Sequence, residues 1–226
     1  MISTDLLPVV YLGPSLPRDE AEGLVAAEFR PPIRRGDLGE VGPGRPVLIV
    51  DGEFDQSFPV SPKEILARLD AGETVIGAAS MGALRAAELW PMGMIGVGRI
   101  YEAYRSGAIE GDDEVALAFC PIGGGPLTVP LVHVRFWLDR AAAEGRIGPI
   151  DRRRLLRRAQ QVFYAERTPG RMARLVAETL GPEAADRLGG TDPGQIPDAK
   201  AVDARAALSL LASAHRATTT PQGART

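Results

Sequence analysis

Apolar and polar positions come in alternating blocks along the first half of the chain. Three short apolar runs, residues 9–12, 47–50 and 74–79, each stop at a corner of small or acidic residues. The corners read Gly13-Pro14-Ser15, Asp51-Gly52-Glu53 and Ser80-Met81-Gly82. Runs this short that stay apolar throughout predict strands buried on both faces. Helical spacing fills the intervals. Pro17 opens one stretch with Ala21, Leu24, Val25 and Phe29 on a single face. Ser61-Pro62-Lys63-Glu64 opens a second with a capping box and a proline in the first turn, and Gly72 closes it. Residues 81–89 form a third, stopped by Pro91. Strand and helix alternate, which predicts an α/β fold: a short, mostly parallel sheet with helices on both faces. Sites in such sheets form at the C-terminal strand ends, so the three corners should share one edge.

Beyond "CPIGGGPLT" the pattern becomes helical, with helices expected over 131–144, 150–166, 171–180 and about 199–217. The organisation expected is an α/β core over 1–125, a helical region over 126–217 packed on it, and a disordered tail over 218–226. Arg152 to Arg158 is rich in arginine and reads as a solvated face or as a patch for an acidic partner.

Composition narrows the function classes. The formal net charge of −3 gives no electrostatic case for nucleic-acid binding. No apolar run approaches the ~20 residues of a membrane span, and the first residues lack the charged and apolar regions of a signal peptide. Cys120 is the single cysteine, so no internal disulfide can form. A soluble cytoplasmic protein without membrane contact is expected. Of 26 basic residues only Lys63 and Lys200 are lysines. Where arginine is the default cation, a retained lysine hints at an amine that must lose its proton. Lys200 lies in a stretch rich in Pro, Gly and Asp and needs no such reading.

Ser80 stands between a strand and a helix, as in a nucleophile elbow, although the window Ala78-Ala79-Ser80-Met81-Gly82 has alanine where G-x-S-x-G has its first glycine. An elbow would set the Met81 N–H beside a developing oxyanion at a helix N-terminus. The plain alternative is that Ser80 caps the helix. Lys63 is the candidate base: the first turn of its helix disfavours a cation, and Ser–Lys pairs are a variant of triad chemistry. Its plain alternative is a surface lysine paired with Glu64 or Glu73. Asp51, Glu53 and Asp55 could hold Mg²⁺, and Gly111-Asp112-Asp113-Glu114 forms a second acidic cluster, but neither brings His or Cys ligands. Arg85 and Glu88, three apart, should pair on one helical face. The G-x-x-x-x-G spacing of Gly77 to Gly82 lacks the Lys and Ser/Thr of a phosphate loop.

The segments "YLGPSLP", "PPIRRGDL", "DGEF", "KEIL", "GAASMGALRAAEL", "GMIGVGRIYEAYRSG" and "GDDEVA" together resemble the TfuA family, collinear from Tyr11 to about Ala118. The resemblance implies an accessory protein of YcaO enzymes, which use ATP to activate a peptide backbone amide for thioamidation. It implies sulfur delivery by hydrolysis of the C-terminal thiocarboxylate of a ThiS-like carrier, and help in engaging the peptide substrate with YcaO. The family's Ser–Lys pair falls on Ser80 and Lys63 here, with no cofactor or metal of its own. Pro62 stands where many relatives have His, and Phe119-Cys120 where some have another. Met81 and Gly82, with Gly52 or Gly13 from neighbouring strand ends, would supply the oxyanion donors. Gly13, Gly52, Gly77 and Gly82 could line a slot for a Gly-Gly tail, and Asp51, Arg85 and Glu88 would support the site. Two other classes stay open: a non-catalytic docking module that promotes YcaO–substrate binding, and an Mg-dependent hydrolase built on Asp51, Glu53 and Asp55.

Overall fold

The computed structural model describes residues 6–54, 59–120, 125–188, 196 and 198–219. The chain forms two compact units: residues 1–110 with 200–226, and residues 111–199. The first unit is discontinuous. The single helical region expected over 126–217 is therefore divided, because its last helix belongs with the sheet.

In the first unit the elements run β1 (Val9–Tyr11), α1 (Arg18–Leu24), β2 (Glu28–Arg30), β3 (Val47–Ile49), α2 (Pro62–Asp70), β4 (Val75–Ala78), α3 (Met81–Leu89), β5 (Ile95–Val97) and α4 (Arg99–Arg105). All pairings are parallel, in the order β2-β1-β3-β4-β5. The chain winds one way from β1 and the other way from β3, so the switch point lies between them. The expected α/β class, with a parallel sheet and a helical C-terminal region, is the class observed. Strands β1, β3 and β4 are buried along their whole length, as an apolar run without alternation requires.

Two strands carried no period-2 signal. In β2 only Phe29 is apolar and buried, and β5 is a partly exposed Ile-Gly-Val at the sheet edge. The helical spacing puts Val25 and Phe29 on the face of α1, but that helix ends at Leu24, where Val25 turns to extended backbone. Val25 and Phe29 still pack with Val10, Leu48, Val50 and Ile76 in one core cluster.

That cluster also includes Leu12, Leu16, Ala21, Ala78 and Ala79, and α9 (Ala199–Thr219) adds Ala201, Ala204, Ala207, Leu208, Leu211 and Ala212. The alanines let the helix backbone lie close to the strands, and each fully buried leucine contributes about 2 kcal/mol. Three further contacts hold α9 in place. Asp203 accepts from the Arg99 and Ile100 N–H groups at 3.0 and 2.8 Å. Arg205 reaches Glu20 on α1. Lys200 reaches Ser80. Residues 220–226, most of the tail expected over 218–226, lie outside the described residues.

The second unit contains α5 (Leu131–Ala143), α6 (Pro149–Gln160), α7 (Pro169–Leu180) and α8 (Pro182–Arg187) around one apolar cluster. The helix expected over 150–166 stops at Gln160, and a separate 3-10 turn covers Tyr164–Glu166. No helix among the described residues is long and apolar enough to cross a membrane.

Candidate functional site at the β4–α3 corner

The chain leaves β4 through Ala79, whose φ of +63° makes it the only non-glycine with positive φ among the described residues. Ala79 is fully buried, so a conformation costing about 1–3 kcal/mol is held by its surroundings. Ser80 follows at φ −118°, ψ −122°, and α3 begins at Met81. The turn is pinned to β3: Ser80 N–H donates to the Ala78 and Val50 carbonyls at 2.8 and 3.3 Å, and Gly82 N–H donates to Val50 at 3.3 Å. The strand-to-helix corner is strained as an elbow is, but the positive φ falls on Ala79, one residue before the serine.

The Ser80 hydroxyl does not cap α3. No N–H of the helix donates to it; only the Ser80 carbonyl accepts, from Ala83 and Leu84. The hydroxyl instead accepts from Lys200 Nζ at 3.0 Å, across 120 residues of sequence. Both side chains are only 2% exposed. Lys63, by contrast, sits solvent-exposed on α2 while that helix buries Ile65 and Arg68. The amine at Ser80 is therefore that of Lys200, and the expected pairing with Lys63 is corrected. The Ser61–Glu64 capping box does form: Ser61 Oγ accepts from Glu64 N–H, and Glu64 accepts from Ser61 N–H. It fixes the start of α2 and leaves Lys63 pointing to water.

The sequence does carry a signal for the burial of Lys200. That lysine begins the row Lys200, Ala204, Ala207, Leu211, spaced i, i+4, i+7, i+11, which is the buried stripe of α9. A lysine in register with an apolar stripe is a buried lysine. No local spacing rule could then name its partner, because Ser80 lies on another element far away in sequence.

The expected oxyanion donors separate. Met81 N–H finds no acceptor among the described residues and opens a nine-residue helix. Gly82 N–H is committed to Val50 and Gly13 N–H to Asp51. The glycines do not line a slot; they are filled by packing. A Cβ at Gly82 would lie 1.8 Å from the Ile49 carbonyl oxygen, and one at Gly77 2.1 Å from that of Gly82, so α3 rests directly on the sheet. Gly52 is closed by Met81, and Gly13 by Pro32.

Asp51 sits at the switch point, buried, and accepts from Gly13 N–H at 2.9 Å, Ser15 N–H at 3.1 Å and Ser15 Oγ at 2.6 Å. Its carboxylate fills the anion-binding concavity that such a loop could offer to a phosphate. Glu53 pairs with Arg34, and Asp55 lies outside the described residues. In the second cluster Asp113 pairs with Arg167 and Glu114 with Arg135. No group of three His, Cys, Asp or Glu suited to a metal occurs among the described residues. Arg85 holds Glu88 through two bonds of 2.9 and 2.7 Å and donates to the Val60 carbonyl, so it ties α3 to the chain entering α2.

A family model described as TfuA-like protein matches residues 51–168, just over half the chain. The match contains Asp51, Ser80 and Met81 and ends before Lys200. No curated protein sequence matches the chain.

Proposed function

The chain belongs to the TfuA-like family, and on that premise we propose that it is a Ser–Lys hydrolase in which Ser80 is the nucleophile and Lys200 the base. The hydrogen bond from Lys200 Nζ to Ser80 Oγ carries the proposal. A serine hydroxyl is a weak nucleophile until a neighbouring group takes its proton. A neutral lysine amine can do so, and here it is the group in hydrogen-bond reach. The strained corner and the free Met81 N–H at the start of α3 support the same reading.

The substrate in this reading is the C-terminal thiocarboxylate of a small ThiS-like carrier, and the sulfide goes to a YcaO-like partner that thioamidates a peptide with ATP. Ser80 Oγ attacks the thiocarboxylate carbon while Lys200 takes its proton, and the Met81 N–H donates to the oxyanion. Collapse breaks the C–S bond, Lys200 returns the proton to the departing sulfur, and an ester to Ser80 remains. Water then attacks that ester, its proton passing through Lys200 to Ser80 Oγ. The sum is thiocarboxylate plus water to carboxylate plus hydrogen sulfide.

The burial of both side chains favours a second reading, in which the bond only pegs α9 to the sheet and the protein acts by docking. Sulfide release from a thiocarboxylated carrier separates the two. Hydrolysis predicts loss of turnover by at least about 10³-fold in Ser80→Ala and in Lys200→Met, with circular dichroism unchanged and Lys63→Ala fully active. Turnover that persists in folded Ser80→Ala would exclude Ser80 as the nucleophile.

A further inference from the structure

The arginines of this chain divide sharply by location. Every arginine of the α/β unit whose side chain is described has a partner. In the helical unit, Arg135, Arg140, Arg146, Arg152, Arg158 and Arg167 are paired with carboxylates. The described guanidinium groups left without a partner are those of Arg153, Arg154 and Arg157 on α6, Arg171 and Arg174 on α7, and Arg187 on α8.

On α6 they are arranged. At about 3.6 residues per turn, Ile150, Arg153, Arg154 and Arg157 fall on one face, opposite the buried Leu155, Leu156 and Ala159. All four are exposed, and Ile150, 70% exposed, lies one turn before Arg153 and Arg154, at the N-terminal end of the row. Arg153 and Arg157 are spaced i, i+4 with no carboxylate between them, a repulsive arrangement for an isolated helix. A chain of net charge −3 thus holds three unneutralised cations in a row beside one exposed apolar side chain.

We propose that this face of α6 docks an acidic protein segment, with carboxylates pairing Arg153, Arg154 and Arg157 beside an apolar residue set on Ile150. Arginine suits the task because its planar group binds carboxylate through two parallel bonds. An exposed apolar side chain next to a row of arginines suits a protein interface, where arginine is enriched. Single-stranded nucleic acid calls for a groove that tracks phosphates beside stacking aromatics, and the α6 face carries no aromatic residue. The proposal rests on α6 alone and does not depend on the hydrolase reading.

The test is fluorescence anisotropy of the full chain with a labelled short peptide of glutamates bearing one central leucine. Binding should weaken as salt is added. Arg153→Glu/Arg154→Glu/Arg157→Glu should weaken it by roughly tenfold or more. Ile150→Ser should weaken it several-fold with the salt dependence unchanged. These residues are exposed, so circular dichroism should show all variants folded. No binding by the unaltered chain, or equal binding by the triple variant, overturns the proposal. So does equal or tighter binding of a labelled oligonucleotide or of phosphatidylserine vesicles through the same arginines. Self-association in sedimentation that the triple variant abolishes overturns it too, since the face would then join two copies of the chain.

Discussion

Ala79 shows how much a single residue holds at this corner. Its backbone takes a positive φ while its methyl is buried in the core cluster that α9 completes. A β-branched side chain suits neither condition. Ala79→Val should lower unfolding stability by about 2–4 kcal/mol, read as a shift in the urea midpoint at unchanged slope. The two lysines give a second test at this scale. An amine-acylating reagent should label exposed Lys63 quickly and reach Lys200 only when the fold opens, as mass spectrometry of the two peptides would show. Comparable labelling of both would contradict the burial of Lys200. The scarcity of lysine marked Lys63, whereas Lys200, set in a stretch rich in Pro, Gly and Asp, is the lysine that reaches Ser80.

Elements meet through small contacts that sequence spacing does not display. Asp203 on α9 supplies the acceptors for the first N–H groups of α4, where the local N-cap is Gly98 with no side chain to offer. A Cβ on Gly98 would lie 2.2 Å from Asp203 Cγ, at a φ of +100°. Gly98→Ala should therefore cost at least about 2 kcal/mol. Burial holds the Asp203 carboxyl above its ordinary value of 3.8, although two N–H groups donate to it and pull the other way. The folded chain thus keeps this proton more tightly than the unfolded chain. The Asp203 contribution to stability should fall as pH rises from near 3.8 through the raised value, then level off. Urea titrations across the acidic range should show that decline in the parent chain and lose it in Asp203→Asn. The corner glycines belong to this scale as well: Gly82→Ala would drive a methyl into the Ile49 carbonyl and should cost at least about 3 kcal/mol. Strands β1, β3 and β4 were legible because each is an unbroken apolar run. Strands β2 and β5 were not, because an edge strand of three residues with one small or polar neighbour has no pattern to read.

At the scale of the whole molecule, the α/β unit closes only when residues 200 onward return to the sheet. The sequence indicated two kinds of region but not this return, since a change from strand–helix alternation to helix alone looks the same whichever unit the last helix joins. A chain ending before Lys200 should expose the α9-facing side of Val10, Leu48, Val50 and Ile76. It should bind a hydrophobic dye and be cut within β1–β4 by proteases that spare the intact protein.

The 120-residue span between Ser80 and Lys200 also sets a timetable for synthesis. Ser80 leaves the ribosome early, and the strands around it can begin to pair. The amine that completes the corner arrives only after the whole helical unit has been translated. Closing so long a loop adds only modestly to the entropy cost, because that cost grows with the logarithm of length, but it does delay the event. A nascent or prematurely terminated chain can therefore carry the serine without ever carrying the pair. Whatever chemistry the corner performs is withheld until translation has passed α9.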